Sequence, residues 1–169
     1  MYAGWLPTQQ EELDLRDPAD WARMFPDGGL RAILMEHVFE HLDADEAIVA
    51  ARNCFAALAP GGYVRLAVPD GFFPNAAYQQ LVQVGGPGPA DHPAASHRVV
   101  YTCETLPPVF ANAGFAVRLL EWWDRDGVFH AEPWDERDGF IYRSARFDHR
   151  NQDGTLGFTS LIVDAVKPA

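Results

Sequence analysis

The first half of the sequence predicts an α/β fold, and three stretches carry that expectation. Residues 30–38, "LRAILMEHV", form a short, mostly apolar run of the kind that fills a buried strand. The "DADE" at 43–46 opens a helix, because the Asp43 side chain can accept from the amide three residues on and Glu46 can reach back, as in a capping box. Residues 63–71, "YVRLAVPDG", read as a second strand closed by Pro69, Asp70 and Gly71. Strand, helix and strand make a βαβ unit, so the strands are expected to be parallel and joined by a right-handed crossover.

The helix between them presents Ile48, Ala51, Phe55 and Leu58 at spacings of three and four, one apolar face. "APGG" at 59–62 places Pro and Gly as its stop signals. The second half is less regular. "YQQLVQV" predicts one or two helical turns, and "GGPGPADHPAAS", residues 85–96, is a long loop within one domain. "CETLPPVFANAGF" predicts a helix opened by Thr102 and closed by Gly114, with Pro107 and Pro108 in its first turn. "AVRLLEWWD" and "FTSLIVDAV" read as strands. The aromatic, charged stretch between them, 127–151, fits either a hairpin insert or a loop, and Trp122, Trp123, Phe129 and Trp134 read as core more readily than as a pocket lining.

The chain has 169 residues, enough for one domain over 1–169 with a proper core. A net charge of −11 argues against a nucleic-acid surface, which needs a basic stripe. No apolar run has the length of a membrane span, and "MYAGWLPTQQ" lacks the basic and apolar regions of a signal peptide, so the expectation is a cytoplasmic protein without a membrane partner. Cys54 and Cys103 lack CxxC spacing and are expected to be reduced.

His37-Val-Phe-Glu40-His41 matches the H-x-x-E-H signature of one class of zinc peptidases. That chemistry needs both histidines on one helical face. Here the helix signal falls after His41 and strand precedes His37, so no metal site is expected from the motif, and a zinc hydrolase stays a minor alternative.

"EHVFEHL", a capped helix and then "LAPGGYVRLAVPD" resemble the middle of the class I S-adenosylmethionine-dependent methyltransferases, with Ala59 where lysine is usual. "GWLPTQQEELDL", "LPPVFANAGF", "RSARFDHRN" and "TSLIVDAVKP" extend the resemblance to a poorly characterised branch of that family and to most of the chain. The resemblance implies a Rossmann-like fold with a mostly parallel sheet flanked by helices, S-adenosylmethionine as cofactor and methyl transfer to a small-molecule acceptor. The family's Gly-rich loop and first strand have no counterpart, because "MYAGW" matches the segment just after that loop. Either the natural start lies upstream, or two strands close the gap, or a partner chain, as in a homodimer, fills it.

By the same resemblance Asp14, at an expected strand end, would hold the adenine with Leu15 packed beside it, and Thr8 falls near the ribose position. A solvated turn is the alternative for Asp14. Glu36 and His37 end the fourth family strand, beside the cofactor. His37 and His41 are the candidate bases for an acceptor hydroxyl or amine, since histidine titrates near neutral pH, and Glu40 would orient one of them. Asp70, His97 and Tyr101 are candidates for the acceptor side, Asp70 equally as a turn former. A non-catalytic relative, kept as a binding or assembly module, is the competing expectation that the absent loop favours.

Overall fold

The computed structural model describes residues 4–86, 92–151 and 154–169. Helix α1 (Pro18–Met24) starts at Asp17, whose side chain accepts from the Ala19 amide. Strand β1 (Leu30–Glu36) follows, and helix α2 (Ala44–Ala57) carries the expected capping box: Asp43 accepts from the Glu46 amide and Glu46 from the Asp43 amide, both at 2.9 Å. The buried stripe of α2 is Ala47, Ala50, Ala51, Cys54 and Ala57. It is rotated from the expected face because these small side chains let the helix lie close on the sheet, while Phe55 packs at its rim and Ile48 is only half-buried.

Strand β2 (Leu58–Pro69) begins directly after α2 and runs through "APGG". The expected helix stop is therefore a strand start. Leu30 pairs with Leu58 but Ala32 with Tyr63, so the segment bulges. Gly62 sits where a Cβ would meet the Ala59 and Leu30 carbonyl oxygens at 2.9 Å.

Helix α3 (Ala76–Val82) is capped by Asn75. Helix α4 (Leu106–Ala111) starts at Thr105 rather than at Thr102, because Thr102 to Thr105 close a separate turn in which the Thr102 hydroxyl accepts from two following amides. Strands β3 (Ala116–Trp123) and β4 (Phe129–Ala131) form a hairpin, so the start of that stretch is a hairpin arm and residues 132–151 are loop and 3-10 turns; β5 (Ser160–Val166) ends the fold. Residues 87–91 of the Gly-rich loop lie outside the described residues, and 93–96 form a 3-10 turn.

The sheet runs β1–β2–β5–β3–β4. The α/β architecture is as expected, but the pairing is not mostly parallel. Among the described strands only β1 and β2 pair in parallel; β5 lies antiparallel between β2 and β3, and β4 is antiparallel to β3. Since β2 and β3 are both antiparallel to β5, strands β1, β2 and β3 share one direction. The registered pair Arg65 and Asp164 helps to hold β5 in that slot, Nε to Oδ1 at 2.8 Å.

Alternation along the strands divides two cores. Val64, Leu66 and Val68 of β2 with Leu161, Val163 and Ala165 of β5 pack with residues of α1, α2 and α4. Ala67, Leu120 and Ile162 face the other way, toward Ile141 and Trp134 of the long segment after β4. Strand β1 is an edge, with β2 its neighbour on one side. "EELDL" forms no strand, since the Gln9 carbonyl accepts from the Glu12 and Leu13 amides and turns the chain there. No helix among the described residues is long and apolar enough to cross a membrane.

Candidate functional site

The parallel pairing of β1 runs one residue past the strand: His37 still donates its amide to the Ala67 carbonyl at 2.9 Å. There the chain breaks direction, with His37 at φ +54°. A β-carbon is disfavoured in that left-handed region, by an energy on the order of 1 kcal/mol. Such strain is tolerated where the surroundings fix it, and here they do. The ring reaches Ser160 Oγ through Nε2 at 3.0 Å and Glu40 Oε1 through Nδ1 at 3.2 Å.

Phe39, Glu40 and His41 then form one 3-10 turn. Phe39 is fully buried against the Tyr101 and Phe110 rings, which drives the turn inward. Glu40 follows it inward and is 0% exposed. Its carbonyl accepts from the Arg98 and Val99 amides at 2.9 and 3.3 Å, which draws residues 97–99 across the turn. His97 is thereby buried, with Nδ1 donating to the Val82 carbonyl at 2.9 Å and Nε2 standing 3.9 Å from Glu40 Oε1. His41 lies on the outer side, Nδ1 at 2.9 Å from Ser96 Oγ, its ring edge-on to that of His97. Glu40, His41 and His97 each offer a ligand atom, and these atoms lie within 4.8 Å of one another.

A cleft of about 620 Å³ opens at this end of β1. It gathers Thr8, Asp14 and Leu15 on one wall and His37 and His41 on the other, so five of the sequence-derived candidates meet in one place. The volume lies within the range of small-molecule sites. Arg16 and Ser96 also line it. Neither carries a sequence signal, and each enters through a partner found only in the fold. Arg16 bridges Asp14, at 2.6 Å, and Glu46, at 2.7 Å, fastening the N-terminal segment to the start of α2. Its guanidinium holds the Asp14 carboxyl below the ordinary value.

The remaining candidates lie elsewhere. Glu36 faces away from the cleft and accepts from the Tyr142 and Arg143 amides at 3.0 and 2.7 Å, anchoring the long segment after β4. Asp70 is buried and takes the Phe72 and Trp123 amides at 2.9 and 2.8 Å. Burial pushes its carboxyl up to about 6, outweighing the opposing pull of those bonds. Tyr101 is buried in the main core, where burial pushes its phenol up to about 12. Of the acceptor-side candidates, His97 alone approaches the cleft residues, through Glu40 and the His41 ring.

No family model and no curated protein matches the sequence. Solved structures do match the fold. A SAM-dependent methyltransferase from Archaeoglobus fulgidus superposes with a TM-score of 0.51 at 15% identity, over 89% of this chain and 65% of that one. An O-methyltransferase family protein from Burkholderia thailandensis gives 0.51 at 12% identity, over 93% of this chain and 35% of that one. The chain shares the α/β fold of these methyltransferases over the part that it spans. The chain spans less than two thirds of the length of each relative.

In a methyltransferase fold the position of the cleft has a physical meaning. Ligands of open α/β sheets bind beyond the carboxyl ends of the strands, where the backbone leaves the sheet and the crossover helix begins. Here that place lies between Glu36 and Asp43, and the strained His37 marks where the chain turns out of the sheet.

Proposed function

We propose that this chain carries the catalytic site of an S-adenosylmethionine-dependent methyltransferase that acts on a small molecule bearing a hydroxyl or amine. The observation that carries the reading is the cleft at the end of β1, with Thr8, Asp14 and Leu15 gathered with His37 and His41. Its room and its mixed polar and apolar lining fit the adenosine part of the cofactor. Thr8 and Asp14 would hold the polar edges and Leu15 would pack on the base.

Bound there, S-adenosylmethionine supplies an electrophilic methyl group. The chain's own task is to place the acceptor in line and to receive its proton. His41 suits the second role. The Ser96 hydroxyl donates to the Pro93 carbonyl, so it accepts from His41 Nδ1 and leaves the Nε2 lone pair free. Both nitrogens of His37 have neighbours, Ser160 and Glu40, which suits it to shaping the wall.

Titration calorimetry with S-adenosylmethionine and its demethylated product tests the reading. Micromolar binding to the 169-residue chain, weakened at least tenfold by Asp14→Ala, is the expected result. Absence of binding at millimolar concentration by a folded chain refutes it. A second reading, a non-catalytic assembly module, draws on the Asp14 carboxylate already being paired with Arg16 and on the open edge of β1. That reading requires a dimer by light scattering together with no cofactor affinity.

A further inference from the structure

We propose that Glu40, His41 and His97 form a site for a divalent transition-metal ion of the zinc type. The inference stands without the methyltransferase reading, because it rests on three side chains and one unsatisfied carboxylate.

Glu40 is the decisive residue. It is completely buried, and neither carboxylate oxygen has a hydrogen-bond partner among the described residues. His37 Nδ1 comes within 3.2 Å of Oε1 but without the alignment of a hydrogen bond, and nothing approaches Oε2 in that way. A buried carboxylate without donors is among the costliest arrangements in a protein interior, and a bound cation is one of the few things that relieves it.

The histidines are set up as ligands by the groups behind them. The Val82 carbonyl can only accept, so His97 Nδ1 carries a proton and Nε2 is the nitrogen available to a metal. His97 Nε2 stands 3.9 Å from Glu40 Oε1. Ser96 fixes His41 in the same tautomer, as its hydroxyl proton is spent on the Pro93 carbonyl. Metal-binding histidines are commonly fixed through their second nitrogen in this manner.

Size and chemistry agree. Two ligands on a tetrahedral zinc stand roughly 3.4 Å apart. The 3.9 Å between Glu40 and His97, and the 4.8 Å limit for the set, need only a small closure. Two imidazoles and one carboxylate suit zinc or a neighbouring transition ion better than magnesium or calcium, which prefer oxygen. Three protein ligands also leave a coordination position. Glu40 and His97 lie on the buried side while His41 lines the cleft, so an ion held by the three would lie beside the cleft. This ligand set differs from that of a helical H-x-x-E-H motif: it takes His97 from a distant loop, and His37 flanks the carboxylate.

The test uses the full chain after treatment with a chelator, titrated with zinc chloride by calorimetry and followed in parallel by thermal unfolding. The expected result is one ion per chain at micromolar affinity or tighter, with zinc raising the unfolding midpoint. Glu40→Gln and His41→Ala each weaken binding at least tenfold. His130→Ala, which removes the surface histidine paired with Asp124, leaves binding unchanged. Glu40→Gln carries a second signature that guards against simple misfolding. Its amide can donate to His97 Nε2, so the ion-free variant melts higher than the ion-free parent and gains nothing from zinc. Lack of stoichiometric binding by the parent chain overturns the proposal, as does parental affinity in both Glu40→Gln and His41→Ala. Cofactor titration plays no part in this experiment, so cofactor binding and zinc binding can each fail alone; stoichiometric zinc would take the His41 lone pair and remove His41 from the base role proposed above.

Discussion

Asp70 makes the fold sensitive to pH in a direction opposite to that of most carboxylates. It is 0% exposed at the end of β2, and its two oxygens hold the Phe72 turn and the last residue of β3. Burial raises its carboxyl from an ordinary 3.8 to about 6. Between those values the native state keeps a proton that the unfolded chain has already released. Stability from this group is therefore complete below about pH 4 and is lost as pH rises toward 6. A rise from 3.8 to about 6 corresponds to roughly 3 kcal/mol. Near pH 5 the slope is about 1 kcal/mol per pH unit. Carboxyls held below their ordinary values, such as Asp14 beside Arg16, have the opposite sign, and their contribution fades at lower pH. Glu121, also raised by burial, shares the sign of Asp70. A difference measurement isolates one group. Urea unfolding of the parent and of Asp70→Asn, from pH 4 to 7, is the assay. The asparagine sets an amide against one of the two backbone donors and should cost about 1–3 kcal/mol at low pH. It cannot ionise, so the gap between the two proteins should narrow as pH rises. A gap that widens with pH would mean that the two backbone bonds outweigh desolvation, and would refute the reasoning.

Two further perturbations follow from buried groups. Arg65 is 3% exposed and is held by both oxygens of Asp164 at 2.8 Å and by the Asp135 and Gly139 carbonyls. Asp164→Ala leaves that charge buried without its counter-ion and should cost about 3–5 kcal/mol in urea unfolding; a loss below 1 kcal/mol would show that the carbonyls alone suffice. Cys54 is fully buried and its thiol is pushed up to about 12, whereas Cys103 is partly exposed. A thiol-specific reagent should label Cys103 in the native protein and Cys54 only after unfolding. Native labelling that survives in Cys103→Ala would contradict the packing of α2.

The β1–α2–β2 unit was legible because its signals are local. An apolar run, an Asp43–Glu46 box and a second apolar run each act within a few residues. The slot taken by β5 was not legible. The alternation of β5 suits a central strand, but which strands it separates depends on matches such as Arg65 with Asp164, 99 residues apart. Nothing in the local pattern of β2 announces an antiparallel neighbour. The shift of the buried face of α2 has a similar origin: size, and not hydropathy alone, decided which residues met the sheet, so alanines went inward and Ile48 stayed half-buried.

The histidine motif shows the same divide at the level of the site. Five residues at helical spacing, His37 to His41, occupy three backbone states. The His37 amide still belongs to the β1–β2 ladder, its φ of +54° leaves that ladder, and Phe39 to His41 form a 3-10 turn. A helix through all five would break the bond from His37 to the Ala67 carbonyl and lift Phe39 from its pocket against Phe110. The strand and the buried aromatic therefore prevail over the helical spacing. What that outcome creates is a carboxylate directed inward instead of along a helix face. Its carbonyl, freed from helical bonding, accepts from Arg98 and Val99. The pairing that brings His97 to Glu40 is thus a consequence of the failed helix. For that reason a motif reading confined to residues 37–41 finds two histidines and a glutamate but not the third side chain that makes them a set.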